Sequence, residues 1–93
     1  MRKAVSVTTS IVEICPASEM RGDFKAKINN LVIKNTSANT VYLQWTVEPD
    51  ILTTSNGYPL GQNEVAIIER TKTSAPVLGI TGGGTATLRV SGD

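Results

Sequence analysis

Residues Asn30 to Val47 read NLVIKN, TSAN, TVYLQWTV: an apolar run, four polar turn formers, and a second run with strict alternation. Val41, Leu43, Trp45 and Val47 share one side of an extended chain and Thr40, Tyr42, Gln44 and Thr46 the other, which is the period of a half-buried β-strand. With Ile28 to Asn35 as a preceding strand and Thr36 to Asn39 as the turn, the stretch predicts a β-hairpin that seeds the fold. The only Trp of the chain lies in its second strand, where burial of one indole removes more apolar surface from water than several small aliphatic side chains.

The same pattern continues outward. Lys3 to Cys15 is rich in Val, Ile and Thr, with a polar interruption from Ser6 to Ser10, and predicts one bent strand or two short ones, ended by Pro16. Ala17 to Lys27 predicts a surface loop with a helical turn near Ser18 to Met20. Past Val47, the segment Glu48-Pro49-Asp50 stops the strand because proline cannot donate to a ladder. Ile51 to Ser55 predicts a short edge strand, Asn56-Gly57 a turn, and Tyr58 to Gly61 an irregular path. Val65, Ala66, Ile67 and Ile68 form an unbroken apolar run, which predicts a strand buried on both faces. Pro76 to Thr81 and Thr85 to Val90 predict a last hairpin around Gly82-Gly83-Gly84. Seven or eight short, mainly antiparallel strands with turn signals about every 8 to 12 residues define an all-β chain, a sandwich or barrel. It is read as one domain over residues 1–93, with 1–29 as an arm or first-strand region and 30–90 as the core module.

Composition removes several function classes. Nine Lys and Arg against eight Asp and Glu leave a net charge of +1, and no basic run exceeds Met1-Arg2-Lys3 or Lys25-Ala26-Lys27. Nucleic-acid binding would call for a basic stripe with stacking aromatics, and membrane-surface binding for a basic amphipathic segment, so neither partner is expected. The single Cys15 excludes an intrachain disulfide framework, and the absence of His leaves a structural zinc site short of ligands. No run approaches transmembrane length. The signal-like start at Arg2-Lys3 is broken by Thr8, Thr9, Ser10 and Glu13, and bulky Ile14 before Cys15 does not suit a lipoprotein site. Folding in the cytoplasm is the expectation. With only four aromatic residues in 93, the core is small, and a homo-oligomer, trimer or dimer, is expected to add stability.

No catalytic, cofactor-binding or metal-ligating set emerges. Cys15 lacks a cationic neighbour in sequence to stabilise a thiolate and reads as a small buried side chain. Glu48 and Asp50 lack the oxygen-ligand density of a calcium loop and read as a solvated turn rather than a glycosidase pair. Gly82-Gly83-Gly84 is followed by neither Lys-Ser nor Lys-Thr and reads as a loop tip, not a phosphate cradle. Arg21-Gly22-Asp23 spells an integrin-binding tripeptide, but a tight charged turn accounts for it. Candidate partner contacts remain. Lys3, Val5 and Val7 belong to an arm, Lys3 to Thr9, able to add a strand to a neighbour. Tyr42 lies on the face opposite Trp45, and Tyr58 and Leu60 belong to the Asn56 to Leu60 loop. Intramolecular packing is an alternative use for Tyr42 and Leu60.

Three segments carry a family resemblance: Val32 to Leu43 (VIKNTSANTVYL), Thr53 to Leu60 (TTSNGYPL), and the tail pair Val77-Leu78-Gly79-Ile80 with Gly84 to Val90 (GTATLRV). Together, over Asn30 to Val90, they resemble small β-rich structural proteins of tailed bacteriophages, of the capsid decoration (cement) or head-fibre type. The resemblance implies a non-enzymatic protein of the capsid surface whose partner is the major capsid protein. The other reading is a tail- or head-fibre module that binds a host receptor or glycan, with Tyr42, Trp45 or Tyr58 stacking on a sugar ring. A small hydrolase is a third class that no motif supports.

Overall fold

The computed structural model describes residues 2–16, 30–45, 50–69 and 76–92. The expected helical turn at Ser18 to Met20, the Arg21-Gly22-Asp23 tripeptide, Lys25 to Lys27, Ile28, and Thr46 to Pro49 lie outside the described residues. So do Lys72 to Ala75.

Among the described residues eight strands form two four-stranded antiparallel sheets: β1 (Arg2–Val7), β2 (Val12–Cys15), β3 (Asn30–Asn35), β4 (Val41–Gln44), β5 (Tyr58–Leu60), β6 (Val65–Glu69), β7 (Val77–Thr81) and β8 (Ala86–Gly92). One sheet has the order β1-β8-β3-β6 and the other β2-β7-β4-β5, so the chain is a β-sandwich with open edges rather than a closed barrel. The pairs β1·β8, β2·β7, β3·β6 and β4·β5 are nested, as in one long hairpin folded at the β4–β5 connection. Rolling that hairpin up adds the contacts β8·β3 and β7·β4. This is the connectivity of a jelly roll.

The topology corrects two of the sequence expectations. β3 and β4 do not form a hairpin; they belong to opposite sheets, and residues 36–40 carry the chain across the sandwich. The physical reason is Asn35. Its side chain is fully buried, and Nδ2 donates to the carbonyls of Asn39 (2.8 Å) and Leu60 (2.8 Å), while Oδ1 accepts from the Ser37 backbone N–H (3.0 Å) and hydroxyl (2.9 Å). Polar turn formers here bend the chain out of the sheet plane instead of reversing it within the sheet. β7 and β8 likewise belong to opposite sheets. Gly84, at φ +73°, together with the bond from the Thr81 hydroxyl to the Gly84 carbonyl (2.7 Å), shapes that corner. The Asn39 amide reaches across to the Thr85 carbonyl at 3.0 Å and ties the two corners together.

The core is aliphatic. Val7, Ile14, Leu31, Ile33, Val41, Leu43, Leu60, Val77, Leu88 and Val90 are buried between the sheets, and full burial of each such side chain stabilises by about 1.5–3 kcal/mol. Trp45 is half-buried and packs against this cluster from one end, not at its centre. β1 and β2 are strands of the sandwich itself: Lys3 to Val7 pair with Val90 to Ala86 of the same chain. A free arm over Lys3 to Thr9 is therefore replaced by an integral first strand.

β6 also differs from expectation. Its apolar run is buried on one face only, because a two-layer sandwich covers each sheet on one face: Ala66 and Ile68 point inward, while Val65 and Ile67 point to solvent. Ile51 to Ser55 forms no strand, and the edge strand is instead Tyr58–Leu60, where Pro59 is tolerated because an edge position requires no donor on its outer side.

Candidate functional site

The roll has two unlike ends. Residues 8–11, 36–40, 61–64 and 82–85 connect strands at one end and are short. The strand ends that the longer connections join, Cys15 and Asn30, Gln44 and Tyr58, Glu69 and Val77, lie at the other, together with Arg2 and Gly92. Contact groups on a rigid scaffold are concentrated on the loops that join its strands. A concavity of about 510 Å³ opens at that end.

β4 and β5 build its walls. Their register sets Leu43 opposite Tyr58, so the chain leaving β4 brings Trp45 beside the Tyr58 ring. The two rings meet edge to face, with centroids 5.5 Å apart and planes at 65°. Such a pair contributes about 0.5–1.5 kcal/mol beyond its buried area. Leu43 forms the floor, and Gln44, Asp50, Asn56 and Pro59 complete the rim.

The loop beneath the rim is held by its own hydrogen bonds. Asn56 Oδ1 accepts from the Thr53 N–H (2.7 Å), Asn56 Nδ2 donates to the Ile51 carbonyl (3.0 Å), and the Gly57 N–H donates to the Thr53 carbonyl (3.1 Å). Buried Leu52 anchors it. The Asn56 amide is thereby committed to the loop. Asp50 is the charged group on the rim and is exposed. An open aromatic cleft with one carboxylate suits an apolar side chain, or a Lys or Arg whose stem lies on Tyr58 and whose charge turns toward Asp50.

The residues singled out from the sequence are dispersed. Tyr58 is 54% exposed and central to the cleft; Tyr42 is half-buried on the outer face of β4. Leu60 and Val7 are core residues, fully or nearly fully buried, so neither offers its side chain to a partner: each sits on the inward side of its strand. Val5 is half-buried against the core, and Lys3 is exposed at the far edge of the other sheet. Cys15 is buried. Asp50 lies at the cleft, and its proposed partner Glu48 is outside the described residues. Among the described residues no group of three His, Cys, Asp or Glu could hold a metal ion. No helix among them is long and apolar enough to cross a membrane.

Three features escaped the sequence reading. The partnership of Trp45 with Tyr58 depends on β4–β5 pairing, for which Pro59 in an apolar tripeptide was the available signal. The exposed side chains of β6 were hidden because VAII has no polar residue to reveal its alternation. The Asn35 corner was signalled by two Asn flanking Thr-Ser-Ala, a spacing that serves a hairpin turn equally well. No protein-family model matches the chain, and neither a curated protein nor a solved structure is significantly similar to it.

Proposed function

We propose that this protein is a non-enzymatic structural component of a tailed-phage virion, a decoration or cement protein that binds the major capsid protein and stiffens the shell. The observation that carries this reading is the distribution of exposed apolar side chains. Ile51 (76% exposed) and Tyr58 are exposed in the loop before β5 and on β5, and Val65 and Ile67 (66%) are exposed along edge strand β6. Scattered single apolar residues are ordinary on a surface, but exposed Tyr58 set against Trp45 in an open cleft is the composition of a protein-contact surface. Near-neutral charge favours burying that surface against protein. Fold-level analogy points the same way, since jelly rolls recur in viral coat domains.

The experiment is made on particles. Mass spectrometry and immunogold labelling of purified virions locate the protein, and particles assembled without it are heated or moved to low salt. The reading requires the protein on the head and earlier genome release from particles lacking it. Equal survival of both particle types refutes cementing. A fibre module that binds a host glycan is the second reading, favoured by the Trp45–Tyr58 cleft itself. Label on the tail or fibres, with binding to host cells and none to emptied heads, decides for it.

A further inference from the structure

The four sheet edges are not alike. β1 carries Arg2 and exposed Lys3; β2 has four residues with exposed Glu13 and a register shift between Glu13 and Cys15; β5 has three residues including Pro59. Charges, bulges, brevity and proline are the devices that keep an edge from pairing with another chain. β6 has none of them between Val65 and Ile68, and Val65 and Ile67 are exposed upon it. Among the described residues β3 is its only neighbour.

From these observations we infer that β6 is a pairing edge, and that its occupant is β6 of a second copy, antiparallel and centred on Ile67. This goes beyond the virion reading and does not depend on it. Three observations select a second copy. First, the backbone is correctly phased. The Asn35 N–H donates to the Glu64 carbonyl (3.1 Å), so by the alternation of an antiparallel ladder Ala66 and Ile68 direct their groups to β3. Val65, Ile67 and Glu69 therefore direct their N–H and C=O to the open side, and Ile67 facing Ile67 of the second copy is a hydrogen-bonded pair.

Second, the apolar rows join. Val32 lies opposite Ile67 within the sheet, so the pairing creates a continuous row of Val32, Ile67, and Ile67 and Val32 of the second copy. Third, the charges complement. Lys34 and Arg89 are directly opposite each other on the outer face, a like-charge pair that is unfavourable alone. Their row continues through Ala4 and Val65, which carry no charge. On that face the described residues offer one carboxylate, Glu69, opposite Asn30 and four positions along the strand from Val65, about 13 Å away. A two-fold centred on Ile67 sets Glu69 of the second copy opposite Val65, at the end of the Lys34–Arg89 row. The cationic row of each copy thus receives the carboxylate of the other, as an isologous interface requires.

The full chain is followed by sedimentation velocity over a hundredfold range of concentration. A concentration-dependent dimer is expected, with Ile67→Lys monomeric at every concentration and unfolding at the temperature of the parent diluted to where it too is monomeric. Glu69→Lys dissociates the dimer and Glu69→Lys with Lys34→Glu restores it. Cα atoms of a hydrogen-bonded pair lie about 5.5 Å apart, within disulfide range. Ile67→Cys therefore cross-links to a covalent dimer on mild oxidation, while the parent, with buried Cys15, does not. A monomeric parent protein, or a dimer that survives Ile67→Lys, overturns the inference.

Discussion

Replacing Asn35 tests the corner that makes this chain a roll instead of a set of hairpins. The side chain is fully buried and makes four hydrogen bonds, two as donor and two as acceptor. The partners fix its orientation, because only Nδ2 can donate to the Asn39 and Leu60 carbonyls. In Asn35→Ala, Ser37 and Asn39 are near enough to the surface to turn to water, but the Leu60 carbonyl stays buried and loses its donor. A net loss of about 1 kcal/mol for that bond, about 1 for the others together, and about 1 for the stranded carbonyl gives about 3 kcal/mol. At roughly 4–8 °C per kcal/mol for a domain of this size, Tm falls by about 12–24 °C. Urea unfolding followed by the fluorescence of Trp45 measures it, with m unchanged. Asn35→Asp adds a sign. The introduced carboxylate faces two carbonyl oxygens in a buried site, so its folded pKa is raised above the unfolded value of about 4. Relative to the parent, that variant is most stable below pH about 4 and loses stability as pH rises through the folded pKa. A loss under about 1 kcal/mol for Asn35→Ala, or a pH dependence of the opposite sign, refutes the account of the corner.

Gly79 is crowded by side chains of the strands that flank it in its own sheet: a Cβ there would stand 2.7 Å from Ile14 Cδ1 and 3.4 Å from Val41 Cγ1, so Gly79→Ala is expected to cost about 1–3 kcal/mol by overpacking, read by the same urea titration. Cys15 is fully buried, so a thiol reagent reacts with it only as fast as the sandwich opens, and its labelling rate rises in parallel with global unfolding in urea. Tyr58→Ala costs about 1 kcal/mol of stability, since the ring is more than half exposed, but weakens attachment to purified heads in a co-sedimentation assay; unchanged attachment removes the cleft from the partner surface.

What the sequence made legible was local periodicity. The inward positions of β4, Val41 and Leu43, and the inward set of β8, Ala86, Leu88 and Val90, follow directly from alternation with polar neighbours. Strand pairing was not legible, because each decisive partner is distant: Val5 meets Leu88, and Val12 meets Gly79. The turn formers at residues 36–39 and 82–84 specify that the chain bends, while the plane of the bend is set by tertiary bonds such as Asn35 to Leu60. The cleft was half legible. Trp45 and Tyr58 were both singled out, but their meeting required β4 and β5 to be neighbours. At β6 the apolar run reads as doubly buried because a uniform run has no polar residue to mark the face that a two-layer sandwich leaves to solvent.

The two proposed surfaces have a joint consequence that separates linking from binding. A two-fold axis through a β6–β6 pair stands perpendicular to the extended sheet, so it turns the copies end for end. The clefts, each at the long-loop end of its own sandwich, then point in opposite directions along the strands. A dimer of this shape can engage two neighbouring subunits of a shell at once, and the second engagement is intramolecular, which multiplies occupancy without any new contact. Monomeric Ile67→Lys retains its cleft and occupies isolated sites, yet it links nothing. It should therefore bind emptied heads with lower apparent affinity and leave their melting temperature at the value of undecorated heads. Tyr58→Ala should instead keep the dimer while failing to occupy the heads. Full stabilisation of heads by Ile67→Lys at saturating occupancy would show that each copy acts alone, and would remove the bridging role from the dimer while leaving the dimer itself intact.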